Sequence, residues 1–157
     1  MALAVDKVRI RPPRATDAEQ LAGLNRELGY TTKPQEIVSR IKRASKLPEH
    51  LIAVAEIENG LIGWVQAEHR FSMETGEKAE IVGLVVGARA RHRGVGRLLV
   101  QAAEEWAADR GLNSIVVRSN VVRPESHDFY RRIGYTRSKT QHVYAKPLPH
   151  GASANEA

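Results

Sequence analysis

The spacing of apolar residues changes along the chain, from a helical period before residue 50 to a strand period after it. Early in the chain, apolar positions recur every three or four residues, which predicts two amphipathic helices, one ending at Gly29 and one closed by Pro48. A short alternating stretch, residues 8–11, precedes both helices. It predicts an edge strand, because two prolines follow it and proline cannot donate a hydrogen bond to a sheet.

Polar residues mark where these helices begin. Thr16 and Glu19 match the capping box, in which each side chain accepts a hydrogen bond from the backbone amide of the other residue. Thr32 and Gln35 repeat the pattern before the second helix. We therefore expect the two threonines to cap the two helices.

Three strands are predicted between residues 51 and 86. An apolar strand, 51–55, leads through Asn59-Gly60 into a returning strand, 61–71. Asn-Gly favours a tight hairpin turn, because both central residues of that turn need a positive φ. After a polar turn, residues 80–86 form a strongly apolar strand. The three strands should therefore pair antiparallel, each with the next.

The second half of the chain predicts helices and strands in alternation. Residues 94–110 carry one continuous apolar stripe at helical spacing, and Gly111 ends that helix. No internal repeat is present, so we expect a single domain over residues 1–147. The remaining elements are a strand at 114–119, a short helix at 124–132, a strand or hairpin at 135–146, and a disordered tail at 148–157.

The composition is that of a soluble globular protein. The chain has the length of one domain, 157 residues, of which 42% are hydrophobic and 27% charged. It has no cysteine, which excludes a disulfide scaffold, a cysteine-ligated metal and a cysteine nucleophile. No apolar run reaches the roughly 20 residues that span a bilayer, and the N-terminus lacks the apolar region of a secretory signal. We expect a cytoplasmic protein that does not bind membranes.

Charge is distributed unevenly over the sequence. The formal net charge is +6, yet residues 49–80 contain seven acidic and two basic residues, a net −5, which leaves +11 on the rest. Three interpretations remain open: a nucleic-acid-binding protein, neighbouring sites for an anion and a cation, and chance clustering on a solvated surface. Only 5% of residues are aromatic and no nucleic-acid motif is present, so we expect no nucleic-acid partner.

The stretch from Val86 to Arg97 has the chemistry of a phosphate site. It joins a predicted strand to the start of the longest predicted helix, where free N–H groups and a partial positive charge favour phosphate. Gly94 and Gly96 let the backbone approach a diphosphate closely. Four arginines add positive charge: Arg89, Arg91, Arg93 and Arg97.

Two common phosphate loops are excluded by the residues after Gly96. A dinucleotide fingerprint needs a third glycine where the chain has Leu99. A Walker loop needs Lys followed by Ser or Thr, where the chain has Arg97-Leu98.

Arg91-x-x-Gly94-x-Gly96 instead resembles the acetyl-CoA pyrophosphate motif of the GCN5-related N-acetyltransferase (GNAT) superfamily. The resemblance covers roughly residues 8–146. It includes Asn120 after the next strand and the stretch from Tyr130 to Tyr135, which resembles the Tyr-x-x-x-Gly-Phe/Tyr signature of the family's last helix.

The resemblance implies an α/β (α+β) fold with a mixed, mostly antiparallel central sheet flanked by about four helices. Two parallel strands, 80–86 and 114–119, would splay apart and admit acetyl-CoA as co-substrate. Backbone groups of the first strand would pair with the pantetheine amides, and loop amides would hold the pyrophosphate. The implied cofactor-binding residues are Leu84, Val85, Val86, Arg91, His92, Arg93, Gly94, Val95, Gly96, Arg97 and Asn120.

The resemblance also implies direct attack of a primary amine on the thioester, in a ternary complex without an acyl-enzyme. Glu80 is the candidate base, acting directly or through water, because Glu80-Ile81 resembles the stretch that carries the base in the histone-acetylating branch. Glu77 and Glu68 are the nearest substitutes. Tyr130 matches the family's general acid, which protonates the leaving thiolate.

The acceptor is expected to be a cationic small amine, because the acidic region 49–80 would surround the base. The resemblance implies an acceptor wall at residues 27–36 and 136–144, where no motif identifies the amine or the length of the acyl group. Trp64 is either a core residue or part of that wall. A protein or peptide N-acetyltransferase and a non-catalytic acetyl-CoA sensor remain alternatives, and family precedent leaves a homodimer open.

Metal and acyl-enzyme chemistry have no support in the sequence. The six histidines form no i, i+4 pair, so we expect no metal site. No Gly-x-Ser-x-Gly elbow is present to supply a serine nucleophile.

Overall fold

A computed structural model describes residues 7–119 and 124–149. Its central sheet has five strands in the order β1-β2-β3-β4-β5, antiparallel from β1 to β4 and parallel between β4 and β5. The strands are β1 (Arg9–Arg11), β2 (His50–Ile57), β3 (Gly60–Ser72), β4 (Gly76–Val86) and β5 (Ile115–Val117).

Four α-helices accompany the sheet in the described part of the chain, and the predicted fold class is confirmed. They are α1 (Ala18–Glu27), α2 (Pro34–Ala44), α3 (Val95–Asp109) and α4 (Pro124–Arg132). Among the described residues, no helix is long and apolar enough to cross a membrane.

The chain divides after Arg118 into two compact units. The first holds the sheet with α1 to α3, and the second holds α4. The strand or hairpin predicted over residues 135–146 is wrong, because residues 135–148 form neither strand nor helix. A strand is stabilised by pairing its backbone with a neighbour. Here the segment has no paired strand in the described chain, and Val143 is 84% exposed.

The two faces of the sheet are covered by different helices. Helix α3 packs on the face that carries the small residues Ala53 and Ala67, which allow the helix to approach closely. Helices α1 and α2 pack on the opposite face, against a cluster that includes Val54, Trp64 and Val85. We call these the α3 face and the α1/α2 face.

Both predicted helix caps are wrong. A 3₁₀ turn, Ala15–Asp17, precedes α1, and Asp17 takes the cap position in place of Thr16. The reason is a tertiary contact, since the Asp17 carboxylate is held by Arg11 of β1, six residues earlier in the chain. At α2 the cap is Lys33, whose amide donates to Glu36 at 3.4 Å.

The β2–β3 hairpin forms, but not with the predicted turn residues. Ile57 pairs with Gly60, so Glu58 and Asn59 are the two loop residues. The positive φ, 126°, falls on Gly60.

A buried ion cluster ties β1 to β2 and to the start of α1. Arg11, only 6% exposed, donates to both oxygens of Asp17 at 2.8 and 3.0 Å and to Glu56 at 2.7 Å. These hydrogen bonds from Arg11 lower the pKa of Asp17 below its usual value.

Replacing Arg11→Met should therefore destabilise the fold by about 3–5 kcal/mol, because it leaves Asp17 buried without its partner. The measurement is urea unfolding. Since the pKa of Asp17 is lowered in the folded state, the contribution of the pair is present at neutral pH and is lost as the pH falls below about 3.8. The exposed Arg40–Glu36 pair supplies the control, and Arg40→Met should cost at most about 0.5 kcal/mol. Equal losses for the two variants would contradict this account.

Candidate functional site

Strands β4 and β5 part from each other in the middle of β4. Their pairing runs from Ala79↔Ile115 to Ile81↔Val117 and ends there. On the other side of β4, Gln66 of β3 pairs with Gly83 while Ala67 pairs with Ile81, so Val82 is an extra residue in a β-bulge. Beyond the bulge, β4 keeps β3 as its neighbour and has no second strand partner in the described chain.

The peptide groups along this open edge can be assigned from one hydrogen bond. The Gly87 amide donates to the Ile62 carbonyl of β3 at 2.8 Å. Since successive residues of a strand direct their peptide groups to opposite sides, those of Leu84 and Val86 face away from β3. The Val86 carbonyl accepts from Arg91 Nε at 3.3 Å, consistent with that direction. Leu84 and Val86 thus present backbone donors and acceptors at the open edge.

Val85 is placed differently from its two neighbours. Its peptide groups face β3, and its side chain is 5% exposed within the α1/α2 cluster. Three residues of this strand were predicted to bind the cofactor. Of these, Val85 packs in the core, and Leu84 and Val86 have peptide groups that face the open edge.

The loop after β4 leads to the N-terminus of α3, which has no side-chain cap. A 3₁₀ turn, Ala88–Ala90, is followed by His92 with φ 62° and Gly94 with φ 82°. Gly94 is the N-cap of α3, which has no side-chain cap. The Leu98 amide donates to the Gly94 carbonyl at 3.2 Å, so the amides of residues 95–97 precede the helical bonding pattern. Such amides attract an anion.

The side chains around this helix end fall into two groups. Val95 is 1% exposed, so its side chain is not available to a ligand. The polar side chains of the loop are exposed, and the arginines among them surround the loop with positive charge. The exposed residues are Arg89, Arg91, His92, Arg93 and Arg97.

Glu80 is buried, 4% exposed, and lies one residue before the last β4–β5 pair. Glu80 belongs to the α1/α2 face, because it pairs with Glu68 of β3. Glu68 lies on the same face of that strand as Gln66 and Trp64, since every second residue of a strand shares a face. Its Oε2 accepts from Arg70 Nη1 at 2.9 Å and its Oε1 accepts from Arg118 Nε at 3.0 Å. The bond to Glu80 raises the pKa of Arg70 above its usual value.

The acidic region of the sequence is largely paired in the structure. Glu68 lies 3.6 Å from Arg70, and Glu77 lies 3.2 Å from His69 Nε2. Arg70 and Arg118 were not predicted as partners of Glu80. Arg70 could have been found, because it shares a strand face with Glu68, whereas Arg118 is 38 residues from Glu80.

Tyr130 lies on α4 in the second unit. It is half-buried between Phe129, whose ring centroid is 5.1 Å away, and Tyr135 at 5.8 Å. Burial raises the pKa of Tyr130 to about 12. The phenol is therefore protonated throughout the neutral range. Asn120 lies outside the described residues.

Within the described parts of the chain, no group of three or more His, Asp or Glu residues could hold a metal ion. The described residues of the first unit supply an anion-binding helix end, free peptide groups at a strand edge and a buried carboxylate, and the second unit supplies a neutral phenol.

Comparison with known proteins gives a family. The acetyltransferase (GNAT) family model matches residues 17–135, a span that runs through both units. The chain is 29% identical over 147 residues to aminoglycoside N(6')-acetyltransferase type 1 of Klebsiella aerogenes, covering 88% of this chain and 96% of that protein. It is 29% identical over 141 residues to glucosamine 6-phosphate N-acetyltransferase 1 of Oryza sativa subsp. japonica, covering 85% of this chain and 84% of that protein.

Solved structures show the same fold. An aminoglycoside N-acetyltransferase in complex with CoA aligns with a TM-score of 0.79 at 19% identity, covering 90% of this chain and 95% of that one.

The positive φ at Gly94 predicts the effect of adding a side chain there. Gly94→Ala should destabilise the protein by about 1–2 kcal/mol, because an L-residue is strained in the left-handed region. Gly23→Ala is the matched control. Gly23 lies within α1 with nothing within 4 Å of a built Cβ, so alanine should stabilise that helix by about 0.5–1 kcal/mol. Urea unfolding measures both, and effects of the same sign would refute the assigned role of Gly94.

Proposed function

The chain belongs to the acetyltransferase (GNAT) family, as its motifs predict, and we propose that it transfers the acetyl group of acetyl-CoA to the primary amine of a small molecule. The observation that carries the proposal is the open edge of β4 leading directly into the uncapped N-terminus of α3. An extended ligand with amides at one end and phosphates at the other matches that combination.

Acetyl-CoA is such a ligand. Leu84 and Val86 would pair with the pantetheine amides as an added strand does. The amides of residues 92–97 would bind the pyrophosphate, with Arg91, Arg93 and Arg97 compensating its charge. A solved relative of the same fold in complex with CoA supports this choice of co-substrate.

The reaction forms one bond and breaks one. The amine nitrogen attacks the thioester carbonyl carbon, a C–N bond forms, the C–S bond breaks, and CoA leaves as a thiolate. The amine must attack in its neutral form, although a free alkylamine has a pKa of about 10.4. The protonated amine therefore gives up two protons on the way to the amide: one passes to a base before the attack and is released to solvent, and one leaves the nitrogen after the attack and is balanced by the proton delivered to the sulfur.

Glu80 is the proposed proton acceptor. It lies beside the point where β4 and β5 separate, and its buried charge is compensated by Arg70 and Arg118. An ionised carboxylate has about four acceptor positions, so two arginine bonds leave room for a water or the amine itself. Glu77 and Glu68 remain substitutes, each with its own basic neighbour.

Tyr130 is the proposed general acid. A phenol with a pKa of about 12 keeps its proton at neutral pH and can give it to the thiolate.

The acceptor is proposed to be a cationic small amine. The relatives named above include an aminoglycoside and a glucosamine 6-phosphate N-acetyltransferase, which supports a small-molecule amine. The test is release of CoA thiol from acetyl-CoA across kanamycin, spermidine, glucosamine 6-phosphate, amino acids and short peptides. The proposal is supported if an amine releases CoA thiol faster than the background rate measured without any amine. No release from any amine, with acetyl-CoA shown to bind, would contradict it.

Glu80→Gln should lower kcat by about 10²-fold or more, because it removes the proton acceptor. Arg70→Met is the control, since it removes one of the two ion pairs of Glu80 and keeps both the carboxylate and its pair with Arg118. It should retain most of kcat. Equal losses of kcat for Glu80→Gln and Arg70→Met would mean that Glu80 acts through the ion pair alone.

Tyr130→Phe should lower kcat by about 10²-fold or more and leave acetyl-CoA binding unchanged. The control is Tyr135→Phe, which removes a hydroxyl from the neighbouring ring. The family signature accepts phenylalanine at that position. An acid loses activity as the pH rises through its pKa, so with a pKa of about 12 Tyr130 should cause no decline in kcat between pH 6 and 10. An unchanged kcat for Tyr130→Phe would remove it from the mechanism.

A further inference from the structure

The last turn of α1 borders the open part of β4 on the α1/α2 face. A Cβ built on Gly87 would lie 3.1 Å from Leu24 Cδ2 and 3.4 Å from Glu27 Oε2. A Cβ built on Gly83 would lie 2.7 Å from Trp64 Cη2. The Trp64 indole and the end of α1 therefore cover this strand from Gly83 to Gly87.

The opposite face of the same strand region is filled by α3. Leu99 is fully buried and lies 3.0 Å from a Cβ built on Gly63 of β3, so the helix is in close contact with the sheet. Because α3 closes this face, we infer that a molecule that reacts with a group held at the open edge approaches on the α1/α2 side. The elements it would meet there are Trp64 and the segment that follows α1.

One hydrogen bond joins these two elements. Trp64 Nε1 donates to Asn25 Oδ1 at 2.9 Å across 39 residues of sequence. Asn25 then connects to the loop between α1 and α2, since its carbonyl accepts from the amides of Leu28 at 3.0 Å and Tyr30 at 3.1 Å. Its side-chain amide donates to Thr32 Oγ1 at 3.4 Å. Asn25 is thus the link between the indole and residues 28–33.

We propose that Asn25 and Trp64 are positioning residues that hold residues 28–33 as a wall of the acceptor site. This inference rests on the proposed function, because it assumes that an amine reacts at the open edge of β4. Tyr30 on this loop is 59% exposed and offers an aromatic surface to a cationic amine. The nearby Glu27 carboxylate favours the same class of acceptor.

Three variants test the pair. Asn25→Leu removes the oxygen that accepts the hydrogen bond from Trp64. Trp64→Phe removes the indole N–H that donates it and keeps an aromatic ring against Gly83. Asn25→Asp keeps an oxygen that can accept the hydrogen bond. Asn25→Leu and Trp64→Phe should each raise the acceptor KM about tenfold, the effect of losing one net hydrogen bond, and leave the acetyl-CoA KM unchanged. Asn25→Asp should restore the acceptor KM, because one carboxylate oxygen accepts from Trp64 and the other can accept from the Thr32 hydroxyl in place of the lost amide donor. The double variant of Asn25→Leu and Trp64→Phe should be no worse than Asn25→Leu alone, because both substitutions break the bond between Trp64 and Asn25.

The matched control is Gln20→Leu. Gln20 also lies on α1 and accepts from the Leu61 amide of β3 at 2.8 Å, but it lies about two helical turns before the loop. It should leave the acceptor KM unchanged. A rise equal to that of Asn25→Leu would show general loosening of α1 and overturn the proposal.

Hydrogen exchange gives a readout without catalysis. Exchange at residues 28–33 should accelerate in Asn25→Leu and Trp64→Phe and stay unchanged in Gln20→Leu. Unaltered exchange in the first two variants would overturn the positioning role. If the wild-type protein acetylates no amine in the panel, the proposed function fails and the acceptor assignment fails with it, while hydrogen exchange still decides whether the pair holds the loop.

Discussion

The bulge at Val82 is the constraint on which the rest of the site depends. One extra residue in β4 changes the register against β3, and the pairing with β5 ends at the same point. Unpaired peptide groups are costly unless they face water or a partner, so an open edge inside a sheet is a place for a ligand. The chain then runs from that edge through a loop with two positive φ values into α3. Free amides and an anion-binding helix end therefore follow one another along a single stretch of chain.

The two faces of the sheet differ in their side chains and in the helices that cover them. The α3 face carries small side chains, such as Ala53 and Ala67, and is closed by the helix. The α1/α2 face is apolar near Trp64 and charged toward Glu80, where Arg70 and Arg118 compensate a buried carboxylate. Burying a charge without partners is costly, so the arginines are a condition for placing Glu80 there. The excess of acid in residues 49–80 therefore does not act as a single negative patch.

Periodic features of this fold could be predicted from the sequence, and features set by tertiary contacts could not. The apolar stripe of α3 and the strand periods of β2 to β4 lie within short windows and were correct, and the motif from Arg91 to Gly96 predicted the family that the comparison shows. The strand or hairpin at 135–146 was wrong. The bulge at Val82 could not be predicted, because residues 81–86 are all apolar or glycine and show no alternation that a bulge would interrupt. The cap at Thr16 failed because Arg11 holds Asp17, and the Trp64–Asn25 bond joins residues 39 positions apart. The roles of Glu80 and Tyr130 came from resemblance and stay predictions.

The central claim is that the open edge of β4 and the N-terminus of α3 form one binding site for acetyl-CoA. Amide hydrogen exchange with and without saturating acetyl-CoA tests it most directly. The account predicts slower exchange at Leu84, Val86 and residues 95–97 on binding, and no change at Val85, which already faces β3. Unchanged exchange at Leu84 and Val86, or protection confined to other parts of the chain, would contradict it.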